Sequence, residues 1–176
     1  MTAINALKPL IRTIPDYPKP GIQFRDITPL LANGDAFYEV IEHFAARYEG
    51  KGLTKIVGIE ARGFIFATAL AYRLKLGFVP LRKPGKLPAK TRQQSYDLEY
   101  GTNALELHDD ALNEADKVLL IDDLLATGGT LIAAHKLLSD TGASIHECAF
   151  LITLKDLPGG RKLDENGIGY YTLFEF

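Results

Sequence analysis

The stretch of sequence that decides the fold spans residues 118–130 and reads Val118-Leu119-Leu120-Ile121-Asp122-Asp123-Leu124-Leu125-Ala126-Thr127-Gly128-Gly129-Thr130. Its apolar run from Val118 to Ile121 is typical of a strand buried on both faces of a parallel sheet. Two acids follow, then a Thr-Gly-Gly-Thr turn and the apolar spacing of a helix from about Gly129 to Asp140. We therefore predict a buried strand that ends in two carboxylates and leads through a glycine-rich turn into a helix.

The same pattern of a strand followed by a helix occurs on both sides of this stretch. Lys55–Ile59 predicts a short buried strand, Gly63–Leu74 a helix that is apolar nearly all round, and Gly77–Leu81 and Ile145–Leu154 two further strands. Strands that alternate with helices imply right-handed crossovers and a mainly parallel sheet with helices on both faces. The predicted fold class is therefore α/β.

The N-terminal segment does not follow this alternation. Residues 3–13 predict a short helix despite Pro9, and residues 14–29 (IPDYPKPGIQFRDITP) predict a non-helical loop because of their prolines. An amphipathic helix follows from Asp35, which is placed to cap its first turn.

The segment between Leu81 and Val118 is polar and carries two strand-like pieces, at 95–100 and 103–107. It predicts a long flap with a hairpin, and a connection of this length is more often functional than idle. We expect one domain over residues 1–176, with a small N-terminal hood at about 1–34 and a mobile flap at about 82–108.

The composition favours a soluble globular protein. Of the 176 residues, 47% are hydrophobic and 24% charged, and the formal net charge of -2 gives no overall attraction to nucleic acid or anionic lipid. An anionic ligand therefore needs a local cluster of cations. The single cysteine, Cys148, lies in an apolar run and predicts a buried thiol in a reducing compartment. No segment has the length of a membrane span or the form of a secretory signal, so the expected location is cytoplasmic.

The turn after the two acids has the chemistry of a phosphate site. Glycines let backbone N–H groups approach a phosphate, threonine hydroxyls add donors, and the following helix favours an anion at its start. No lysine follows the second glycine, as a nucleotide triphosphate loop requires, and the dinucleotide pattern Gly-x-Gly-x-x-Gly is missing. Asp122 and Asp123 suit the vicinal hydroxyls of a sugar, so the pair and the turn together indicate a ribose 5-phosphate. The alternative is that the acids only end the strand and the glycines only form a turn.

The run Leu120–Thr130 resembles the motif by which type I phosphoribosyltransferases bind 5-phosphoribosyl 1-diphosphate (PRPP). The resemblance implies that Asp122 and Asp123 hold the ribose hydroxyls. Where hypoxanthine-guanine enzymes carry an aspartate, this chain has Ala126, which argues against a 6-oxopurine substrate. The residues that the resemblance assigns to the 5-phosphate are Ala126, Thr127, Gly128, Gly129 and Thr130.

Three further segments are similar to adenine phosphoribosyltransferases: 16–26 to their adenine loop, 60–64 to their pyrophosphate loop, and 82–88 with 96–101 to their flap. The resemblance implies a purine salvage enzyme that converts adenine and PRPP to AMP and pyrophosphate and works as a homodimer. No role with nucleic acid or membranes is expected. The alternatives are a phosphoribosyltransferase for xanthine, hypoxanthine or orotate, and a PRPP-sensing regulator of transcription, which would need a DNA-binding module.

The adenine loop is stiffened by prolines and can present its backbone rigidly. The carbonyl of Gln23 and the amide of Arg25 would then read the N6 and N7 atoms of adenine, while Phe24 stacks on the ring. In the family a leucine that aligns with Leu154 lies on the opposite face of the ring. The alternatives are a buried Phe24 beside an Arg25–Asp26 ion pair, and a Leu154 that belongs to the core.

The pyrophosphate group needs cations that can close over it. Basic residues are concentrated in the flap, and the pyrophosphate loop adds Arg62 between two small residues. The alternative is that this run of charged residues only forms a solvated surface. The residues expected to bind pyrophosphate are Ala61, Arg62, Gly63, Arg82, Lys83 and Lys86.

The reaction needs an acid or base for the purine, and Ala126 cannot serve. The resemblance makes Glu99 on the flap the candidate for this acid or base. The alternative is that Glu99 is an exposed residue of a hairpin, which is the commoner situation for such a residue. Mg²⁺ is the expected cofactor, held by substrate oxygens and water rather than directly by protein ligands. Asp122 and Asp123 would orient the ribose and offset its developing positive charge.

Overall fold

The structure, a computed structural model, describes residues 4–98 and 101–176. These described residues belong to two compact units, whose bounds are Met1–Tyr48 and Glu49–Phe176. The expected single domain with its hood stays a prediction. Among the described residues no helix is both long and apolar enough to cross a membrane.

The first unit contains more regular structure than the sequence predicts. The predicted helix over residues 3–13 is a 3-10 helix at Ile4–Leu10, and strand β1 (Arg12–Pro15) takes up the remainder. The predicted loop over 14–29 holds strand β2 (Gln23–Asp26), antiparallel to β1, and the start of helix α1 (Thr28–Ala32). Pro18 and Pro20 lie in the connection between β1 and β2, whereas Pro15 ends β1 and Pro29 lies in the first turn of α1. Residues 23–26 are ordered by their cross-strand pairing with β1, which the local sequence does not show.

Helix α2 (Gly34–Tyr48) follows, and its first turn is capped differently from the prediction. Asn33 rather than Asp35 is the cap: its Oδ1 accepts the N–H of Ala36 at 3.1 Å. Asp35 lies within the first turn, where its charge is favourable to the helix dipole.

The second unit is built on a five-stranded sheet in the order β4-β3-β7-β8-β9, and every neighbouring pair is parallel. The predicted bounds of β3 (Lys55–Ile59), helix α3 (Gly63–Leu74) and β4 (Gly77–Leu81) are confirmed. The remaining elements of the sheet and its helices are β7 (Lys117–Leu125), α4 (Gly129–Ser139), β8 (Ser144–Thr153), α5 (Gly159–Glu165) and β9 (Tyr170–Glu175).

Strand β7 continues past the point where the sequence ends it. Asp122 pairs with Phe150 of β8, and Leu125 pairs with Thr153. The two acids are therefore inside the strand rather than after it, because β8 supplies backbone partners up to Leu125. Helix α5 and strand β9 were not predicted at all.

The segment between β4 and β7 forms the expected hairpin of β5 (Thr91–Leu98) and β6 (Gly101–His108), but it is not polar throughout. Leu105 and Leu107 of β6 are buried in one cluster with Val57 and Leu120 of the sheet. The backbones of Arg82 and Glu106 exchange two hydrogen bonds, at 3.0 and 2.7 Å. The part of the hairpin next to β4 is therefore packed on the core.

Cys148 confirms the predicted core thiol. It is fully buried in β8, and burial, with a smaller contribution from the charge of Glu147, raises its pKa to about 12. The thiol is therefore uncharged and unreactive at neutral pH.

Candidate active site

A cleft of about 490 Å³ opens at the carboxyl ends of β3 and β7. Ligands of open α/β sheets bind at this edge. The strand ends supply acids, the segments after β3 and β4 supply cations, and the hairpin supplies polar side chains. The lining residues are Ile59, Glu60, Ala61, Arg62, Lys83, Tyr96, Asn103, Asp122, Asp123, Leu124 and Thr130.

The two acids of β7 have different environments. Asp123 is buried and accepts the Nε–H of Arg62 at 2.5 Å. Asp122 accepts the N–H of Asp123 at 2.8 Å, but burial and the neighbouring Asp123 carboxylate raise the pKa of Asp122 well above its ordinary value. Asp123 is thus held as an ion pair, whereas Asp122 carries its proton more readily than an exposed aspartate.

Gly63 brings the start of α3 against these acids. A Cβ atom at this position would lie 2.7 Å from Oδ1 of Asp122 and 3.0 Å from the carbonyl oxygen of Ile121. Only a glycine therefore permits this approach. Arg62 immediately precedes the helix, and the peptide bond between Glu60 and Ala61 is cis.

Glu60 organises the cations that follow β4. Its side chain is 7% exposed and accepts hydrogen bonds from Nε of Arg82 at 3.2 Å, from the N–H of Lys83 at 3.0 Å and from the ammonium of Lys86. Burial opposes its ionisation, but the bonds from Lys86, Lys83 and Arg82 outweigh burial and lower the pKa of Glu60. The side chains of Arg82 and Lys86 are therefore bound to Glu60, whereas Lys83 lines the cleft.

A second, smaller cavity of about 100 Å³ lies against the glycine-rich loop. Gly128 has a φ of +82°, a conformation that suits glycine, and α4 begins at the next residue. Asp122, Leu124 and Thr130 line both this cavity and the larger cleft, so the two are neighbours. The loop residues around the small cavity are Ala126, Thr127, Gly128 and Thr130.

In the first unit, Phe24 and Tyr17 pack edge to face with their ring centroids 5.2 Å apart. The guanidinium of Arg25 donates to the hydroxyl of Thr13. Asp26, which the alternative interpretation of the sequence joins to Arg25, has an ion pair with Arg12 at 2.5 Å.

Pro15 sets the orientation of the β2 backbone. Pro15 is opposite Gln23, and Ile14 is opposite Phe24. Because proline has no N–H, the Pro15–Gln23 pair cannot exchange two hydrogen bonds, and the alternation of an antiparallel ladder assigns those bonds to Ile14–Phe24. Gln23 and Arg25 consequently direct their backbone N–H and C=O groups toward the edge of β2 that faces away from β1.

Comparison with known proteins identifies the family. The family described as "Phosphoribosyl transferase domain" matches residues 30–171. The adenine phosphoribosyltransferase of Idiomarina loihiensis is 53% identical over 175 residues, which cover 99% of this chain and 99% of that protein. The chain belongs to the adenine phosphoribosyltransferase family.

Solved structures of adenine phosphoribosyltransferases share the fold. The enzyme of Thermoanaerobacter pseudethanolicus superposes with a TM-score of 0.93 at 49% identity, covering 99% of this chain and 100% of that one. The APRTase of Giardia lamblia, complexed with 9-deazaadenine, has a TM-score of 0.93 at 36% identity and covers 100% of this chain and 99% of its own. The type I phosphoribosyltransferase fold and the assignment to the transferases of purine salvage are confirmed.

The residues that the resemblance to adenine phosphoribosyltransferases singles out are distributed over both units. In the second unit, Asp122, Asp123, Arg62 and Lys83 surround one cleft. Leu154 directly follows β8, and its N–H donates to the carbonyl of Leu125 at 3.1 Å. Glu99 lies outside the described residues.

Three polar residues of the cleft were not assigned from the sequence. Tyr96 and Asn103 are cross-strand partners in the hairpin and both line the cleft, and Glu60 binds the cations. For the hairpin pair, the sequence carries a signal in the alternation of the two strands, since cross-strand neighbours face the same side. Glu60 shows no such local signal, because its partners are more than twenty positions away.

Proposed function

We propose that the chain transfers the 5-phosphoribosyl group of PRPP to adenine and releases pyrophosphate, forming AMP. The observation that carries this proposal is the sharing of Asp122 and Thr130 between the cleft and the loop cavity. Acids suited to ribose hydroxyls and a loop suited to a 5-phosphate are neighbours, as one ribose 5-phosphate requires. The complex of the Giardia lamblia enzyme with 9-deazaadenine supports adenine as the base.

Three groups of residues would bind the three parts of PRPP, which are the 5-phosphate, the ribose and the pyrophosphate. The loop residues Ala126, Thr127, Gly128, Gly129 and Thr130 would hold the 5-phosphate through backbone N–H groups and hydroxyls. Asp122 and Asp123 would accept hydrogen bonds from the ribose hydroxyls. Ala61 and Gly63 would admit pyrophosphate closely to the backbone, with Arg62, Lys83, Arg82 and Lys86 as its cations.

Pyrophosphate competes with carboxylates for these cations. Arg62 is bonded to Asp123, and Arg82 and Lys86 are bonded to Glu60. A pyrophosphate bears more charge than a carboxylate, so it would draw these cations partly from the acids. The acids would keep the cations ordered before the substrate arrives.

We propose that adenine is recognised by backbone groups of β2. The carbonyl of Gln23 and the N–H of Arg25 would pair with N6 and N7 of the base, and Phe24 would stack on its ring, with Leu154 on the other face. The backbone direction that Pro15 imposes on β2 supports this proposal, since Gln23 and Arg25 direct their groups to one edge.

In the reaction, N9 of adenine would form a bond to C1 of the ribose while the bond from C1 to the pyrophosphate oxygen breaks. Pyrophosphate leaves with the electron pair of that bond, and the purine releases one proton. We propose that Glu99 accepts this proton at N7. Asp122 and Asp123 would hold the ribose and offset the positive charge that develops at C1.

The residues of the cleft fit a Mg²⁺ ion that is shared with the substrate. Mg²⁺ prefers oxygen ligands and retains several waters. In the cleft, Asp122 and Asp123 offer carboxylate oxygens. The described residues include no group of three or more His, Cys, Asp or Glu side chains that could hold a metal ion by themselves. The two acids would hold the ion through the ribose hydroxyls and water. When bound, the ion would take up charge on the departing pyrophosphate.

We propose a cytoplasmic homodimer, in which residues 1–34 form a hood and residues 82–108 a flap that closes over the cleft. The buried Cys148 suits a reducing compartment.

The test is an assay of the purified protein with PRPP and Mg²⁺ against adenine, hypoxanthine, guanine, xanthine and orotate. We expect AMP and pyrophosphate in equal amounts from adenine and at least about 100-fold lower kcat/KM for the other bases, because backbone groups that match adenine mismatch a 6-oxopurine. Conversion of hypoxanthine in preference to adenine would overturn the base assignment. PRPP binding with no base converted would favour a regulator.

A further inference from the structure

The start of α5 packs directly on the glycine-rich loop. The N–H of Gly159 donates to the carbonyl of Ala126 at 2.9 Å. A Cβ atom on Gly128 would lie 3.2 Å from Cα and 3.3 Å from the carbonyl oxygen of Gly159. The two backbones therefore meet without any side chain between them, although they are about thirty residues apart in the chain.

Position 159 has no room for a side chain. A Cβ atom there would overlap the carbonyl oxygen of Ala126 and would lie 3.0 Å from Cγ and Cδ1 of Leu125. A carbonyl in a peptide unit cannot move aside as the end of a long side chain can. Any residue other than glycine at this position must therefore displace the loop or the start of α5.

The hydrogen bond from Gly159 also orients the opposite side of the same peptide unit. Only the Tyr17–Pro18 and Glu60–Ala61 bonds are cis among the described residues, so the Ala126–Thr127 bond is trans. In a trans peptide the C=O and the next N–H point in opposite directions. With the carbonyl of Ala126 held by Gly159, the N–H of Thr127 is turned away from α5.

We propose that Gly159 is a positioning residue for the 5-phosphate site, which acts through Ala126 by fixing the direction of the Thr127 N–H. The inference rests on the proposed function, because it takes the loop to be the site of the 5-phosphate. Gly159 lies outside the motif of residues 120–130, in a segment for which the sequence alone predicts neither structure nor role. Gly159 contributes to affinity for the phosphate without contacting it.

The test compares two ligands that differ only in the 5-phosphate. Dissociation constants of AMP and adenosine are measured by calorimetry for the unmodified enzyme and for Gly159→Ala. We expect the affinity for AMP to fall at least about tenfold, since a misdirected N–H no longer bonds the phosphate, and the affinity for adenosine to stay within about twofold. Equal losses for both ligands, or an unchanged AMP affinity, would overturn the inference.

Two glycine-to-alanine variants serve as controls. Gly160→Ala places its Cβ 2.7 Å from the hydroxyl of Tyr170 and so disturbs α5 away from the loop. Gly169→Ala meets no atom within 4 Å. Both should keep the ratio of AMP to adenosine affinity. A loss of that ratio in Gly160→Ala equal to the loss in Gly159→Ala would mean that general damage to α5 is responsible, and would also overturn the inference.

A second variant covers the case in which Gly159→Ala does not fold. Cys148 is the only cysteine of the chain, so residues 148–176 can be made synthetically and ligated to residues 1–147. Replacing Gly159 by glycolic acid in the synthetic piece exchanges its N–H for an ester oxygen, which cannot donate a hydrogen bond, and adds no side chain. AMP affinity should then fall several-fold with adenosine affinity retained; no selective loss would refute the role. The proposed function is checked separately by turnover of adenine with the unmodified enzyme.

Discussion

The guanidinium Nε of Arg62 lies 2.5 Å from Oδ2 of Asp123, although 61 positions separate the two residues in the chain. Asp123 is 6% exposed, whereas the side chain of Arg62 is 48% exposed and lines the cleft. The ion pair therefore joins a buried acid of the proposed ribose site to an accessible cation of the proposed pyrophosphate site.

Replacing Arg62 by alanine tests this link. We expect KM for PRPP to rise about tenfold or more, because pyrophosphate loses a cation and buried Asp123 loses its ion pair. KM for adenine should change little. Steady-state kinetics with each substrate varied in turn measures both values. Arg161→Ala is the matched control, since Arg161 forms an exposed pair with Glu165; an unchanged KM for PRPP in Arg62→Ala would contradict the assignment.

Replacing Glu60 by glutamine tests the carboxylate that binds Arg82 and Lys86. Glutamine keeps an acceptor oxygen but removes the negative charge next to Lys86 and Arg82. We expect pyrophosphate to inhibit about tenfold more strongly, because the cleft then carries one more net positive charge. The inhibition constant of pyrophosphate is the measurement, repeated at high salt, where the difference should shrink. Glu165→Gln, on the exposed surface, should leave the constant unchanged; weaker inhibition in Glu60→Gln would rule out this electrostatic role.

Replacing Glu99 by glutamine tests the proposed proton acceptor. Turnover should fall by roughly 10²-fold or more, since glutamine has no basic carboxylate for the purine proton. PRPP binding, measured in the same variant by calorimetry, should stay largely intact because Glu99 is not assigned to PRPP. Normal turnover would reject the role.

The lowered pKa of Asp26 predicts how the stability of the protein depends on pH. Hydrogen bonds from the hydroxyl and N–H of Thr28, and then the contact with Arg12, lower the pKa of Asp26 from 3.8 to about 2. Because the pKa is lower in the folded state, the unfolded chain takes up the proton first as pH falls. The stability from ionised Asp26 is therefore present above pH 3.8 and is lost as pH falls from 3.8 toward about 2.

Urea denaturation of the unmodified protein and of Asp26→Asn measures this dependence. The difference in free energy of unfolding should be constant from about pH 7 to 5 and should shrink below pH 4. Asp156→Asn removes an exposed acid and serves as the control. A difference between the unmodified protein and Asp26→Asn that persists down to pH 3 at full size would contradict the assignment to ionised Asp26.

The elements predicted well are those whose signals are local. β3, α3 and β4 have the predicted bounds because each is a short apolar run bounded by glycine or charge. The end of β7 was missed because its last residues are ordered by pairing with β8, which local sequence does not encode. The cap of α2 was misassigned by two positions, since both Asn33 and Asp35 are suitable cap residues and only the chain direction at the end of α1 selects between them.

By itself the sequence determined the α/β class, the order of most strands and helices, and the motif from Asp122 to Thr130, because periodicity and glycine-rich turns act between near neighbours. The resemblance added the family. Only the tertiary structure decided that Arg62 pairs with Asp123, that Glu60 holds Arg82 and Lys86, and that Gly159 supports the loop at Ala126. These contacts join residues that lie far apart along the chain, and the packing of strands and helices is what brings them within hydrogen-bond distance.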